Sequence, residues 1–270
     1  FPANTTSVLI PIAITPDSSD EDDESIIIML SAPTNASLGP TNPYTLIIQD
    51  DDGPPEIRWT LSGDSQTESA GLVTVDMQIS APSSYDVFAD FTVGGTATKL
   101  GNAGADHDLI PTSIQFSPGQ TTKSVTFNIT GDTLPEDSET VTMQITNPIN
   151  GTLTSPSLHT FTIIDDDVIP EAAFTTSLAT KSEADGTYIM TVQLNKESGQ
   201  TITVGYNVTG SSDRPSDHDL LAGLLTFNPG DLEKTISVTF VNDAIHEPIE
   251  NLILTLQNPS NVTLGAITTH

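Results

Sequence analysis

Three acidic loops in the sequence share one spacing of carboxylates. Each has an aspartate, a glutamate four positions later and a second glutamate three positions after that. The loops comprise Asp17, Glu21 and Glu24; Asp132, Glu136 and Glu139; and Asp243, Glu247 and Glu250. In the first two copies an aspartate triplet follows, Asp50, Asp51 and Asp52 and then Asp165, Asp166 and Asp167. Like charges that converge in this way repel one another unless a cation neutralises them.

Calcium suits this set of donors better than other cations. It takes six to eight oxygen ligands in a tolerant geometry, whereas magnesium prefers small octahedral sites that keep several waters. Zinc would require His or Cys ligands, and the chain has five scattered His and no Cys. A single run of three aspartates would indicate a solvated turn. Its recurrence with the Asp-Glu-Glu spacing favours calcium, and the first and third copies are expected to hold incomplete sites.

The acidic loops belong to a longer internal repeat. Phe1, Phe116 and Phe227 each stand close to a proline and precede an alternating strand, and they are separated by 115 and 111 positions. An acidic loop, an apolar strand and a Pro-containing turn follow in every copy. The predicted strands of the repeat are 8–14, 125–129 and 236–240; 26–30, 141–145 and 252–256; and 45–49 and 160–164. A period of this length is typical of small β-sandwich modules.

Four further alternating segments complete the modules, and no stretch combines a helical period with caps and sufficient length. These segments are 72–79, 87–93, 188–194 and 202–208. The sequence therefore predicts an all-β chain of tandem antiparallel β-sandwiches without significant helix. We expect residues 1–52 to form the C-terminal half of a module, 53–167 a complete module, and 168–270 a module lacking its last strand. Pro54, Pro55 and Pro170 follow the triplets and predict short, stiff junctions.

The order of these motifs resembles the Calx-beta family. Its pattern has an early Glu, a Gly-Thr-Ala turn, an Asp-aromatic pair, a Phe-x-Pro-Gly turn, the acidic loop and a terminal Asp triplet. The matching residues in the middle copy are Glu68, Gly95 to Ala97, Asp106 with His107, Phe116 to Gly119, and the loop and triplet named above. Those in the third copy are Glu183, Asp217 with His218, Phe227 to Gly230, and the 243–250 loop.

This chain departs from the family pattern in three places. His replaces the aromatic in both copies, Gly210-Ser-Ser stands where Gly-Thr-Ala is expected, and residues 99–105 are an insertion in the middle copy. The resemblance implies an immunoglobulin-like sandwich that binds calcium at one end, with Glu68, Asp106, Glu183 and Asp217 added to the candidate ligands. We interpret His107 and His218 as packing or hydrogen-bonding residues.

The overall charge restricts the partners of the chain. Thirty-six carboxylates against seven Lys and Arg give a net charge of −29, which disfavours nucleic acid and anionic membranes because both attract basic residues. Cation ligation and solvation in a salty medium remain as explanations of the charge. Six N-x-Ser/Thr sequons are candidates for N-glycosylation, at Asn4, Asn35, Asn128, Asn150, Asn207 and Asn261. They fit an extracellular or cell-surface location.

No catalytic motif is visible, so we expect a binding or structural role and no enzymatic activity. The favoured function is a calcium-binding structural repeat of an extracellular stalk or adhesin, in which calcium stiffens the module junctions. One alternative is a subunit of a self-assembling surface filament with strand exchange between subunits, and another is a calcium-sensor domain. The expected partners are neighbouring modules of a longer chain or other filament subunits.

Overall fold

The computed structural model describes residues 1–101 and 104–270. Part of the predicted 99–105 insertion, Asn102 and Ala103, lies outside the described residues. In the described ranges the helical structure consists of two single 3-10 turns, Glu68–Ala70 and Glu183–Asp185. No helix there is long and apolar enough to cross a membrane. The prediction of an all-β chain without significant helix is confirmed.

The first copy contains one antiparallel strand pair, β1 (Glu24–Ile28) with β2 (Tyr44–Ile48). The strand predicted over residues 8–14 is absent, which corrects that prediction. Its counterpart in the middle copy pairs with a strand that the first copy does not contain, and an extended segment needs such a partner for its backbone hydrogen bonds. Apolar side chains of this copy are consequently exposed, Leu9 by 93% and Ile27 by 65%.

The middle copy is a two-sheet sandwich. Its strands are β3 (Glu56–Trp59), β4 (Gly63–Thr67), β5 (Leu72–Ile79), β6 (Val87–Gly95), β7 (Ser113–Phe116), β8 (Thr122–Asn128), β9 (Glu139–Ile149), β10 (Thr152–Leu153) and β11 (Leu158–Ile164). One sheet has the order β10-β3-β5-β8 and the other β4-β11-β9-β6-β7. The pairs β4–β11 and β3–β10 are parallel, and the other pairs are antiparallel.

Alternation along these strands builds the core, because successive side chains of a strand point to opposite faces. Every second residue of β5, from Val73 to Ile79, is buried. Trp59 and Phe161 are fully buried between the sheets, and the Trp59 Nε1–H donates to the Met143 carbonyl at 3.0 Å. The strongest period-2 segments of the sequence are therefore the segments that form the sandwich.

The third copy repeats the arrangement around a separate core. Its strands are β12 (Glu171–Phe174), β13 (Thr187–Leu194), β14 (Ile202–Gly210), β15 (Gly223–Phe227), β16 (Glu233–Thr239), β17 (Leu252–Ser260) and β18 (Thr263–Leu264). They form sheets of order β16-β13-β12-β18 and β15-β14-β17. Residues 268–270 already pair with β17 through bonds between Leu254 and His270 and between Leu256 and Thr268. These bonds extend the β15-β14-β17 sheet beside β17.

Both modules contain the same tight glycine at the end of a central strand. Gly95 and Gly210 have φ of 118° and 136°, and a Cβ on either would lie 2.0 Å from the carbonyl oxygen of Thr140 or Asn251. Only glycine tolerates both that φ and that approach. The Gly210-Ser-Ser sequence therefore preserves the turn despite its departure from Gly-Thr-Ala.

Candidate metal centre

The candidate metal centre lies at one end of the middle sandwich. Strands β4 and β11 run parallel and side by side, so the chain leaves both at the same end of the sheet. Glu68 begins the turn after β4, and the triplet Asp165 to Asp167 follows β11 directly. The loop after β8 brings Asp132 to the same place. Four separate stretches of sequence contribute to this end of the module, the fourth being the stretch around Asp106.

Three carboxylates form the centre of the cluster. Oxygens of Glu68, Asp132 and Asp167 lie within 4.8 Å of one another. Asp132 is exposed, and the other two side chains are half-buried. The Oδ1 of Asp132 also accepts a hydrogen bond from the Leu134 backbone N–H at 2.7 Å, which fixes the start of the acidic loop. Three negative charges therefore share a space that a single cation could bridge.

The electrostatics of this group fit a cation. Burial, and then the charge of Asp167, raise the pKa of Glu68 to about 7. Burial also raises the pKa of Asp165. Among the described residues, the buried oxygens Asp165 Oδ1 and Asp167 Oδ2 have no hydrogen-bond partner. Buried polar atoms without a partner are costly, and a bound cation would satisfy both of these oxygens.

A second acidic pair adjoins the first group. Burial, followed by a hydrogen bond with Asp106, raises the pKa of Glu139. The Asp106 Oδ2 accepts from the Thr98 backbone N–H at 2.5 Å. Glu136 connects the two groups, because burial and then the charges of Asp132 and Asp106 raise its pKa. The two groups together could hold more than one cation through shared carboxylates.

Three of the eight candidate ligands of the middle copy thus form the central group, and four more interact electrostatically with it or with one another, Asp106, Glu136, Glu139 and Asp165. Asp166 differs, since it is exposed and accepts a hydrogen bond from the Ser69 hydroxyl at 2.6 Å. This bond ties the triplet to the turn that contains Glu68. Within the described residues, the Asp166 carboxylate therefore has a hydrogen-bond donor, whereas Asp165 Oδ1 and Asp167 Oδ2 have none.

The first copy also gathers its acidic residues. The Glu21 backbone N–H donates to Asp50 Oδ2 at 3.3 Å. Burial, then the charges of Asp17, Glu24 and Asp50, raise the pKa of Glu21. Burial and the charges of Asp51 and Asp50 raise the pKa of Asp52. The loop and the triplet meet as they do in the middle copy, but without counterparts of Glu68 and Asp106.

The third copy reproduces the part of the site that its sequence contains. Glu183 begins a 3-10 turn, as Glu68 does. Asp217 and Glu250 share a hydrogen bond, as Asp106 and Glu139 do, and it contributes to raising the pKa of Glu250 after burial. The Asp243 Oδ1 accepts from the Ile245 N–H at 2.6 Å. These residues, together with Glu247, converge without an aspartate triplet.

The two histidines beside the candidate ligands are structural. His107 and His218 are 2% and 4% exposed. Their Nδ1 atoms accept from the backbone N–H groups of Leu109 at 3.2 Å and Leu220 at 3.1 Å. His107 also packs edge-on against Phe127 with 6.4 Å between ring centroids. The interpretation of both as packing and hydrogen-bonding residues is confirmed.

The sequon asparagines are all exposed, and three of them donate side-chain hydrogen bonds: Asn128 to Asp108 at 2.7 Å, and Asn150 and Asn261 at turns. Asn150 and Asn261 adopt φ of 54° and 57°, the left-handed region that Asn tolerates better than most residues. Their Nδ2 groups donate to the carbonyls of Asp86 at 2.9 Å and Thr201 at 3.0 Å. Turn geometry alone accounts for asparagine at these two sequons, and glycosylation of the six stays a prediction.

Sequence reasoning missed the contact between the acidic loop and the following module. The Gln200 Nε2 group donates to the Glu136 carbonyl at 3.0 Å and to Asp137 Oδ1 at 2.8 Å. At the first junction the Tyr85 hydroxyl donates to Asp22 Oδ1 at 2.6 Å. The signal was present, because Tyr85 and Gln200 stand 115 positions apart, as do Asp22 and Asp137. The acceptor is Asp in both copies, but the donor differs in type, so the pair is not visible as a motif.

Comparison with known proteins agrees with this arrangement. The Calx-beta domain model matches residues 1–52, 60–167 and 169–268. Among curated proteins, FRAS1-related extracellular matrix protein 2 of Homo sapiens is 28% identical over 278 aligned positions, covering 96% of this chain and 9% of that protein. Sodium/calcium exchanger 1 of Canis lupus familiaris is 29% identical over 202 positions, covering 66% of this chain and 20% of the exchanger.

Other similar proteins have related descriptions. Extracellular matrix protein 3 of Lytechinus variegatus is 28% identical and covers 92% of this chain and 8% of its own length. A crystal structure of the calcium binding domain CBD12 of CALX1.1 is 21% identical, with a TM-score of 0.40, over 78% of this chain and 82% of that one. The chain spans between 8% and 20% of the curated relatives named here. It belongs to the Calx-beta domain family over most of its length, and is accordingly a binding or structural module without enzymatic activity.

Proposed function

We propose that the chain is a calcium-binding structural repeat of an extracellular stalk or adhesin. The observation that carries the proposal is the convergence of Glu68, Asp132 and Asp167 within 4.8 Å, next to buried carboxylate oxygens that find no hydrogen-bond partner in residues 1–101 and 104–270. These three residues would hold the ion, with Asp165, Glu136 and the Asp106–Glu139 pair beside them. The ion would supply positive charge to a group of carboxylates that otherwise repel one another.

The position of the site gives the ion a mechanical role. Glu136 is a candidate ligand, and its own carbonyl accepts a hydrogen bond from Gln200 of the next module. The Asp triplet ends three residues before buried Pro170, whose carbonyl accepts from Thr263 in the next module. Calcium that immobilises the loop and the triplet would therefore also restrain the junction. The names of the matrix relatives support an extracellular location and neighbouring modules as partners.

Calorimetric titration of the whole chain with calcium tests the binding. Heat of binding should be seen with calcium, and an equal ionic strength of sodium should not stabilise the middle module to the same extent. If sodium and calcium raise its melting temperature equally, the charge serves solvation and the binding proposal is wrong.

Small-angle scattering tests the mechanical role, since chelator should change the maximum dimension of the chain. An unchanged dimension would refute stiffening while leaving binding intact.

Two alternatives can be separated by measurement. The first is a filament subunit with strand exchange between subunits, which would appear as calcium-independent oligomers in sedimentation velocity. The exchanger relatives favour a calcium-sensor domain. A sensor would change conformation over a narrow range of calcium concentration, whereas a stalk repeat would stay saturated at extracellular concentrations.

A further inference from the structure

Two buried serines occupy the same position in successive modules. Ser83 lies in the bend between β5 and β6, and Ser198 lies in the bend between β13 and β14; they are 2% and 3% exposed. A buried hydroxyl needs hydrogen-bond partners. Within its own bend, each Oγ accepts from the N–H two residues later, Tyr85 or Gln200, at 3.1 Å. The hydroxyl hydrogen remains available for another group.

That group belongs to the preceding module. The Ser198 hydroxyl donates to the Pro135 carbonyl at 3.2 Å, and the Gly199 N–H donates to the same oxygen at 3.0 Å. At the first junction, the Ser83 hydroxyl and the Ser84 N–H donate to the Asp20 carbonyl at 3.3 and 2.9 Å. Asp20 and Pro135 hold the same place in the acidic-loop spacing. Both junctions therefore use one pair of bonds on one carbonyl.

The repeated Phe-x-Pro-Gly turn holds each bend in place. The Gly119 N–H donates to the Ser83 carbonyl, and the Gly230 N–H donates to the Ser198 carbonyl, both at 3.0 Å. Their φ angles are 78° and 82°, in the left-handed region that favours glycine. The bend is thus braced by its own module, so its donors already point outward when the neighbouring loop arrives.

A third contact differs between the junctions. The hydroxyl of Tyr85 reaches Asp22, and the amide of Gln200 reaches Asp137. The two aspartates are equivalent in the loop spacing, and neither belongs to the candidate calcium ligands. A different donor thus meets the same acceptor at each junction.

We infer that residues 83–85 and 198–200 are docking sockets that recognise the acidic loop of the preceding module. A loop fits when it offers an outward backbone carbonyl and, two residues later, a carboxylate. The first two socket residues bind the carbonyl, and the third binds the carboxylate. Because no candidate ligand side chain is a partner in these bonds, the socket can form with or without calcium and sets the mean orientation of the modules, while a bound ion would only narrow the motion around it. It is therefore distinct from the proposed calcium function.

Gly199→Val tests the socket in the full chain. A Cβ at Gly199 would lie 2.9 Å from Cγ and Oε1 of Glu136, so a branched side chain must displace the Glu136 side chain and crowd the loop that the socket holds. Gly39→Val is the matched control, because nothing lies within 4 Å of a Cβ there. The chain has no Cys, so spin labels on Thr126→Cys and Ser237→Cys, both exposed positions, report the distance between modules by pulsed EPR.

In calcium, we expect one narrow distance for the parent and the Gly39 variant. In chelator, their distribution should widen around the same mean distance, because the socket bonds remain, whereas Gly199→Val should shift the mean in both conditions. An unchanged distance distribution for Gly199→Val, with each module still folded by circular dichroism, would overturn the socket.

Gln200→Glu and Gln200→Met test the third residue of the socket. Like charge against Asp137 should broaden the distances more in Gln200→Glu than in Gln200→Met, and equal distributions would overturn the selection. Failure to bind calcium would leave these outcomes unaffected.

Discussion

Glu68→Gln should act in opposite directions with and without calcium. In chelator, the substitution removes one of three converging charges while it keeps the size of the side chain. The middle module should therefore become more stable. In calcium, the same substitution removes a candidate ligand oxygen with full charge, so the stabilisation gained from the ion should shrink. A residue that merely packs, or merely solvates the surface, would not show both effects.

The size of the effect follows from the geometry of the cluster. Two unit charges 4.8 Å apart repel by about 1 kcal/mol in water and by about 3.5 kcal/mol at the effective dielectric near a protein surface. For a module of ~100 residues, 1 kcal/mol moves the melting temperature by about 4–8 °C. A tenfold loss of calcium affinity lowers the stabilisation at saturating calcium by about 1.4 kcal/mol.

Differential scanning calorimetry at pH 8 measures both effects, because the pKa of Glu68 is raised to about 7 and the carboxyl is charged at that pH. Glu56→Gln is the matched control, since Glu56 is exposed at the first residue of β3. It should change neither the melting temperature in chelator nor the gain from calcium. If Glu68→Gln melts at or below the parent in chelator, or keeps the full calcium gain, the repulsive cluster is the wrong explanation.

Three further predictions concern other parts of the molecule. Gly95→Ala should abolish the cooperative unfolding transition of the middle module in denaturant titration. Gly71→Ala should lower the free energy of unfolding by only about 1–2 kcal/mol, because Gly71 has a positive φ but open space around its Cβ. Equal losses for the two variants would contradict the steric argument. Asp132→Asn should reduce the heat of calcium binding more than Asp243→Asn does, because only Asp132 adjoins an aspartate triplet. Equal reductions in calorimetric titration would mean that the triplet does not contribute to binding. Gly199→Val should raise the calcium concentration for half-saturation of the middle module, and an unchanged midpoint would mean that the loop is insensitive to its neighbour.

The sequence predicted the fold well where period-2 alternation and burial coincide. The segments 72–79 and 188–194 were predicted from their alternation, and both lie in central strands with one face in the core. The segment 8–14 alternates too, yet it is not a strand in the structure. Alternation reports which face could be buried, but it says nothing of whether a partner strand is present to complete the hydrogen bonds.

The candidate site could be predicted in outline because acidic residues are concentrated at equivalent positions of the repeat. The sequence could not separate Asp166, which accepts a hydrogen bond from Ser69, from its neighbours Asp165 and Asp167, each of which has a buried oxygen without a partner in the described part of the chain. That difference depends on how each carboxylate points after the chain leaves β11. The contact between residues 198–200 and the acidic loop was invisible for a related reason, since three of its four hydrogen bonds are to backbone carbonyls, which carry no residue-specific signal.

The third acidic loop has Pro248 at the position that carries Asp22 in the first loop and Asp137 in the second. A socket whose third residue is a donor such as Gln200 would find no carboxylate there. Copies of this module are therefore not interchangeable building blocks: a recombinant that duplicates the third module behind itself would join a mismatched pair. The order of modules in such an array therefore depends on the contacts at each junction. Deletions and duplications should be tolerated only where the acidic loop of one module still matches the socket of the next.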